Sequence, residues 1–242
     1  MGALPRMGRF RGARLAIKRL LDFAGALVAI VLLSPVVLAV AIAVLVRMGR
    51  PILFRQERPG LHGRIFRICK FRTMRLTKPG EVYYLTDNER LTGLGSFLRR
   101  TSLDELPELW NVLRGDMSLV GPRPLLTEYL SQYTPEEARR HDMRPGVTGW
   151  AVVNGRNALM FRDRLRFDVW YVDHWSLRLD ARIVALTLWQ VVRRQGVSET
   201  EDLALGFPLP GVGPDGKVLE DAPAVTVERT AETPAEPEAS GR

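Results

Sequence analysis

Two carboxylates stand side by side at Asp104 and Glu105, in the stretch TSLDELPELWN that spans residues 101–111. One account of them is purely structural. Ser102, followed three residues later by Glu105, has the spacing of a capping box, and Pro107 suits a first helical turn, where the N–H groups have no helical partner. The surroundings support a second account. Arg99, Arg100 and Arg114 flank the pair, Arg123 lies in GPRP, Lys70 and Arg72 lie in KFRTM, and Arg144 and Arg156 lie in two later loops. That is more cations than a cap needs. A carboxylate among cations at a helix N-terminus stays ionised, as a nucleophile or a metal ligand must. The same cations suit phosphate oxygens, Arg by paired N–H groups and Lys as a point charge, and a helix N-terminus adds backbone donors. Two adjacent anions call for a divalent cation, and magnesium commonly binds through one or two carboxylates plus substrate phosphates. The chemistry implied is phosphoryl transfer, with a carboxylate available for covalent catalysis. The two accounts are compatible, because a capped helix end would also hold Asp104 against phosphate.

Other chemistry-bearing residues offer less. His62, His141 and His174 lie in polar, Arg-rich contexts and read as surface or structural residues. Cys69, the single cysteine, sits in a β-type run and reads as core. One cysteine excludes an internal disulfide framework, no cysteine–histidine spacing suits zinc, and a reducing, cytoplasmic setting follows.

The elements that must position the pair begin with a membrane segment. Residues 23–46, FAGALVAIVLLSPVVLAVAIAVLV, carry no charge, and at about 1.5 Å per residue they would reach roughly 36 Å as a helix, enough for a bilayer core. The run exceeds the h-region of a signal peptide, although AVAIA at 39–43 resembles a cleavage site. Residues 1–22 hold six bases against Asp22, and residues 47–75 hold nine against Glu57. Both flanks therefore favour the cytoplasmic side. A straight span cannot satisfy this, whereas a re-entrant helix bent at Ser34-Pro35 can. Pro35 removes the N–H bond to the carbonyl of Val31, which the Ser34 hydroxyl can re-satisfy. The alternative is an ordinary kinked spanning helix.

Beyond the membrane segment, Ile52–Gln56 and Arg64–Phe71 read as a short β-hairpin joined by the turn-rich RPGLHG. Residues 76–90 read as loop, and helical spacing returns from Leu94 to Leu113 with a break near Thr101. GDMSLVGPRP and RPGVTGWAVVNGRN read as loops, and Thr134 opens a helix through PEEARRHD. Residues 159–175 and 180–194 have helical periodicity. The latter is amphipathic, with Asp180 early and Arg193-Arg194 late, and suits either core packing or the membrane interface beside Trp189. The expected fold is α+β and mainly helical. It comprises a basic N-terminus and re-entrant membrane helix (1–50), a cytoplasmic catalytic domain with interfacial amphipathic helices (51–198), and an acidic, disordered tail (199–242).

The formal charge of +8 conceals an asymmetry: residues 197–242 carry ten acids and three bases, which leaves residues 1–196 at +15. Such a body seeks a polyanion, whether a membrane surface, a phosphate-rich substrate or nucleic acid. No helix-turn-helix spacing or aromatic RNA-binding motif accompanies the charge, so no nucleic-acid partner is expected. A membrane-anchored nonenzymatic scaffold or polyanion-binding protein is the alternative to an enzyme.

KRLLDF, the mid-membrane Ser34-Pro35, KFRTM, RRTSLDELPELWNVLRGDMSLVGPRPLL, RPGVTGW and NGRN follow one another in the order of the bacterial sugar transferase family. From about Lys18 to Ser198 the chain resembles the small, single-domain monotopic phosphoglycosyl transferases of that family. The resemblance implies transfer of sugar phosphate from a nucleoside diphosphate sugar, UDP-sugar being usual, to polyprenyl (undecaprenyl) phosphate at the bacterial cytoplasmic membrane. This is an initiating step of polysaccharide or glycoprotein glycan assembly. By the same resemblance Asp104 attacks the β-phosphorus and carries a phosphosugar intermediate, assisted by Glu105 and Mg2+ held by the pair. Lys70, Arg72, Arg99, Arg100 and Arg123 would contact phosphate, and Arg144, Pro145 and Arg156 would shape the nucleotide or sugar side. Membrane lipid, a homodimer and other glycan-assembly enzymes are the further partners implied.

Overall fold

The apolar run of residues 23–46 forms the centre of one long helix, α1 (Arg9–Met48), in a computed structural model that describes residues 9–77, 87–155 and 161–193. Arg156 and the acidic tail at 199–242 lie outside the described residues. α1 is the one helix among the described residues that is long and apolar enough to cross a membrane. Leu27, Val28, Val31, Leu32 and Leu38 are exposed on it, as a lipid-facing surface requires. The helix continues through Pro35. Ser34 Oγ donates to the Val31 carbonyl at 2.8 Å, and this is the acceptor that a proline one turn later leaves without its N–H.

Polar side chains fix the N-terminal half of α1. Lys18 Nζ donates to the Val120 carbonyl at 3.0 Å and to Asp180 Oδ2 at 2.7 Å. Asp22 accepts from Ser118 Oγ at 2.8 Å and from the Leu119 N–H at 3.1 Å. Arg19 Nη2 donates to the Leu113 carbonyl at 3.0 Å. The charged positions of KRLLDF are thus a docking code, each read by a different partner. Apolar packing continues the attachment. Ala26 shares a buried cluster with Ile68, Leu109, Val112 and Met117, and beyond Pro35, Val40 and Val44 share another with Phe71 and Leu98.

The hairpin forms as its turn and alternation predict: β1 (Leu53–Pro59) pairs antiparallel with β2 (Ile65–Phe71), Leu53 facing Phe71 and Pro59 facing Ile65. β1 is longer than expected, reaching the proline that opens the turn. The turn is a 3-10 segment, Leu61–Gly63, with His62 and Gly63 at φ 54 and 73. Within the polar stretch 76–90 one helical turn, α2 (Asp87–Arg90), is present, while residues 78–86 lie outside the described residues. α3 (Gly93–Arg100) and α4 (Glu108–Arg114) flank the expected break.

Two loops assigned from sequence are corrected. Ser118–Val120 is a strand, β3, running parallel to β4 (Gly146–Thr148), with Ser118 facing Gly146 and Val120 facing Thr148. Such short strands give no usable alternation, and their pairing is long-range. Their glycines are nonetheless required, since a Cβ on Gly146 would meet the Gly121 nitrogen at 2.1 Å, and one on Gly121 the Arg144 carbonyl oxygen at 2.2 Å. The second loop also contains α6 (Trp150–Val153).

Thr134 opens α5 (Pro135–Ala138) with a complete capping box to Glu137, followed by a 3-10 segment, Arg139–Asp142. α7 (Phe161–His174) and α8 (Leu177–Arg193) complete the described chain. They enclose a cluster of Val120, Met143, Val153, Tyr171, Val172 and Ile183. α8 packs into the core through Ile183, which is fully buried, while Leu188, Trp189 and Val191 face outward. Asp180 does more than complement a dipole. It is buried and accepts from Lys18, Tyr171 and Trp175.

Candidate active site

The carboxylate pair lies where the chain leaves α3 and has yet to enter α4. Thr101 ends α3, and Ser102 adopts a left-handed conformation, φ 55, with no side-chain cap. Leu103–Glu105 then makes a 3-10 turn that carries Asp104, 3% exposed. The expected capping box at Ser102 and Glu105 does not form. A capping residue needs extended φ/ψ, and the left-handed Ser102 lacks it. Positive φ at a non-glycine residue is also strained backbone, set here immediately before the pair.

Glu105 is drawn away from the backbone by two cations. Its Oε1 accepts from Lys70 Nζ at 3.0 Å and from Arg123 Nη2 at 2.8 Å. Burial pushes the Glu105 carboxyl up, but the Lys70 ammonium and Arg123 guanidinium outweigh it and hold the group down to about 2. Lys70 comes from β2, Arg123 from the segment after β3, and Glu105 from the α3–α4 turn, so three distant stretches converge on one carboxylate.

Supporting residues fix each arm. Asn111, buried on α4, donates to the Arg67 carbonyl at 2.8 Å and accepts from the Cys69 N–H at 3.1 Å, so its amide pairs with the edge of β2 beside Lys70. Glu108, at the start of α4, brings a second carboxylate to 3.3 Å from Lys70 Nζ. Behind Arg123, Arg140 Nη2 donates to the Arg123 carbonyl at 2.5 Å and to Asp168 Oδ2 at 2.6 Å, with both Arg140 and Asp168 buried. Sequence reasoning missed all four. Glu108 carried a usable signal, since three residues beyond Glu105 is the spacing at which helical side chains meet. Asn111, Arg140 and Asp168 act through contacts distant in sequence, which leave no local pattern.

The other sequence candidates are placed differently. Arg72 donates to the carbonyls of Met48 and Gly49, the latter at 2.8 Å, and so caps the C-terminal end of α1. Arg99 Nε donates to Thr73 Oγ1 at 3.1 Å, and Arg100 is exposed at the end of α3. Arg144 Nε donates to the Gly115 carbonyl at 2.9 Å, just past α4, while Pro145 is buried and its carbonyl accepts from Ser118 N–H at 2.8 Å. Cys69 is half-buried rather than core, and His141 is buried while His62 and His174 are exposed.

Among the described residues no group of three or more His, Cys, Asp or Glu gathers to hold a metal ion. The expected metal ligands are only two, Asp104 and Glu105, and Glu105 is engaged by Lys70 and Arg123.

The buried Asp104, the half-buried Glu105 with its two converging cations and the long apolar helix α1 all lie within the stretch that carries the family likeness. Residues 13–194 match the bacterial sugar transferase family, and the chain belongs to that family. It is 47% identical to the uncharacterized sugar transferase EpsL of Bacillus subtilis (strain 168) over 184 residues, covering 76% of this chain and 91% of EpsL. It is 42% identical over 181 residues to the UDP-glucose:undecaprenyl-phosphate glucose-1-phosphate transferase of Caulobacter vibrioides, covering 71% of this chain and 68% of that protein. The protein of the same name from Escherichia coli (strain K12) is 39% identical over 189 residues, 74% of this chain but 41% of its own length. The chain spans less than half the length of several of the relatives it matches.

Proposed function

We propose that this protein transfers sugar 1-phosphate from a nucleoside diphosphate sugar to undecaprenyl phosphate, through a phosphosugar held covalently on Asp104. The observation that carries the reading is the convergence of Lys70 and Arg123 on Glu105, next to the buried Asp104. Those cations are where a diphosphate would be drawn. The relatives' names supply the substrate class, UDP-glucose as donor and undecaprenyl phosphate as acceptor.

In the first half-reaction a carboxylate oxygen of Asp104 attacks the β-phosphorus of the donor. The bond from that phosphorus to the bridging oxygen breaks, and the nucleoside monophosphate leaves with the electron pair. In the second, a phosphate oxygen of the acceptor attacks the same phosphorus, giving polyprenyl diphosphate sugar and restoring the Asp104 carboxylate. Lys70 and Arg123 neutralise charge on the nonbridging oxygens and orient the donor. Magnesium, held by Asp104 and Glu105, would screen the two anions from each other and from the diphosphate.

The same reading places the catalytic residues on the cytoplasmic face, with α1 re-entrant. Support comes from α1 docking on both sides of Pro35. Lys18, Asp22 and Ala26 engage the domain before it, and Val40 and Val44 after it. From Ala26 to Val40 a straight helix would rise about 21 Å, whereas the clusters these two residues join include Ile68 and Phe71, three residues apart on the single strand β2.

The test is to incubate purified protein with nucleotide sugars labelled in the sugar, before acceptor is added. Label is expected on the protein and is expected to vanish in Asp104→Asn together with product. Labelling that survives the substitution removes Asp104 as the nucleophile.

A further inference from the structure

Lys70 is shared between two carboxylates, and the second has no part in the chemistry above. Its ammonium lies 3.0 Å from Glu105 Oε1 and 3.3 Å from Glu108 Oε1. Glu108 is 2% exposed, so its charge is held inside the protein at the start of α4, and the Lys70 side chain is itself largely buried. A carboxylate is expensive to bury unless it is paired, and Glu108 is placed where its partner is also the partner of Glu105. The reading of the site asks Glu105 to turn toward a divalent cation. That turn takes Glu105 away from Lys70, while Glu108 stays within reach of the same ammonium.

Resting on that reading of the site, we infer that Glu108 is a positioning residue: it keeps the Lys70 ammonium in place when Glu105 releases it to meet a divalent cation. Glu105 exchanges one positive partner for another, Lys70 keeps a carboxylate throughout, and neither charge is left bare. Arg123 is also held from behind, by Arg140 on its carbonyl. The Lys70 ammonium and the Arg123 backbone therefore each have a hold that does not depend on Glu105.

The exchange is tested on the full-length protein in nanodiscs, without nucleotide sugar, by titrating Mn2+ and reading the free ion by electron paramagnetic resonance. Glu108→Gln should weaken Mn2+ binding about tenfold, because Lys70 then holds Glu105 without the competing Glu108 carboxylate. The loss of a nearby negative charge would also weaken cation binding, so the decisive comparison is a double-mutant cycle. In a Lys70→Met background the Glu108→Gln effect should shrink to less than about twofold. An equal effect in both backgrounds overturns the proposal and leaves only a through-space charge effect. A second arm needs no variant: in a structure of the wild-type protein with Mn2+ bound, Lys70 Nζ should lie against Glu108 and apart from Glu105. Lys70 still on Glu105, or on neither, overturns the proposal. Neither arm reads sugar transfer, so failure of the proposed reaction, seen as absent labelling of wild-type protein, is distinguished from failure of the exchange.

Discussion

The guanidinium of Arg140 and the carboxylate of Asp168 meet at 2.6 Å in the protein interior, and the same Arg140 nitrogen holds the backbone carbonyl of Arg123 at 2.5 Å. A pair so buried is hard to remove by halves. Asp168→Asn should destabilise the protein by about 3 to 5 kcal/mol, since it leaves a buried guanidinium without its charge partner. Replacing both members with apolar residues, Arg140→Met with Asp168→Leu, should recover much of the melting temperature. It should not recover the donor KM, because the carbonyl of Arg123 has lost its anchor. Thermal melts beside steady-state kinetics separate the two effects.

Glu105 and His141 give the stability profile two separate acid limbs. With its carboxyl held at about 2 against an ordinary 4.5, Glu105 contributes stability that is present above 4.5 and lost as pH falls toward 2. His141 works in the window above. Burial and the Arg140 guanidinium hold it down to about 4 against an ordinary 6.5, although a hydrogen bond with the Gly60 backbone pulls it up. The unfolded chain takes up that proton first, so stability falls as pH drops from 6.5 to about 4. Each limb is worth at most about 3 kcal/mol. Chemical denaturation across this range should show Glu105→Gln flattening only the lower limb and His141→Gln only the upper.

Asn111→Leu should lower stability by about 2 to 4 kcal/mol, because the Arg67 carbonyl and the Cys69 N–H lose the amide that pairs with them. It should also raise the donor KM more than it lowers kcat, since Lys70 follows Cys69 on the same strand. A KM unchanged in a destabilised but folded variant would show that the amide supports the fold alone.

The proposed re-entry of α1 at Ser34-Pro35 is tested by topology. In a Cys69→Ser background, single cysteines at Arg14 and Arg64, both exposed, should be labelled by a membrane-impermeant reagent from the same side. Pro35→Ala restores the N–H that Val31 lacks and favours a straight helix, so it should create a second population labelled from opposite sides. Opposite labelling in the Pro35 parent would refute re-entry.

How much of this was legible in the sequence depends on the range of the contacts involved. The hairpin could be read because its turn and alternation are local, and α1 because its composition is extreme. The Thr134 and Ser102 segments show the limit. Both carry the same capping spacing, yet only Thr134 and Glu137 make the reciprocal bonds, because Lys70 and Arg123 arrive from elsewhere to claim Glu105. Lys70 and Arg123 were identified by their charge and reach the site. Arg72, of the same charge and on the same motif, is spent on the carbonyls that end α1. Charge type alone does not separate these roles. What separates them is the partner each side chain meets once its segment is packed, Glu105 for Lys70 and Arg123 and the end of α1 for Arg72, and those partners lie far along the chain.

That use of Arg72 has a mechanical meaning. Lys70 and Arg72 stand two residues apart, one holding the reacting centre and the other the foot of the membrane helix, while Lys18 and Asp22 clamp the opposite half of that helix. No tether of free chain intervenes. If α1 is re-entrant as proposed, the depth at which it settles among the lipid tails would fix the height of Asp104 above the headgroups, a gauge set to the level where an anchored phosphate would emerge.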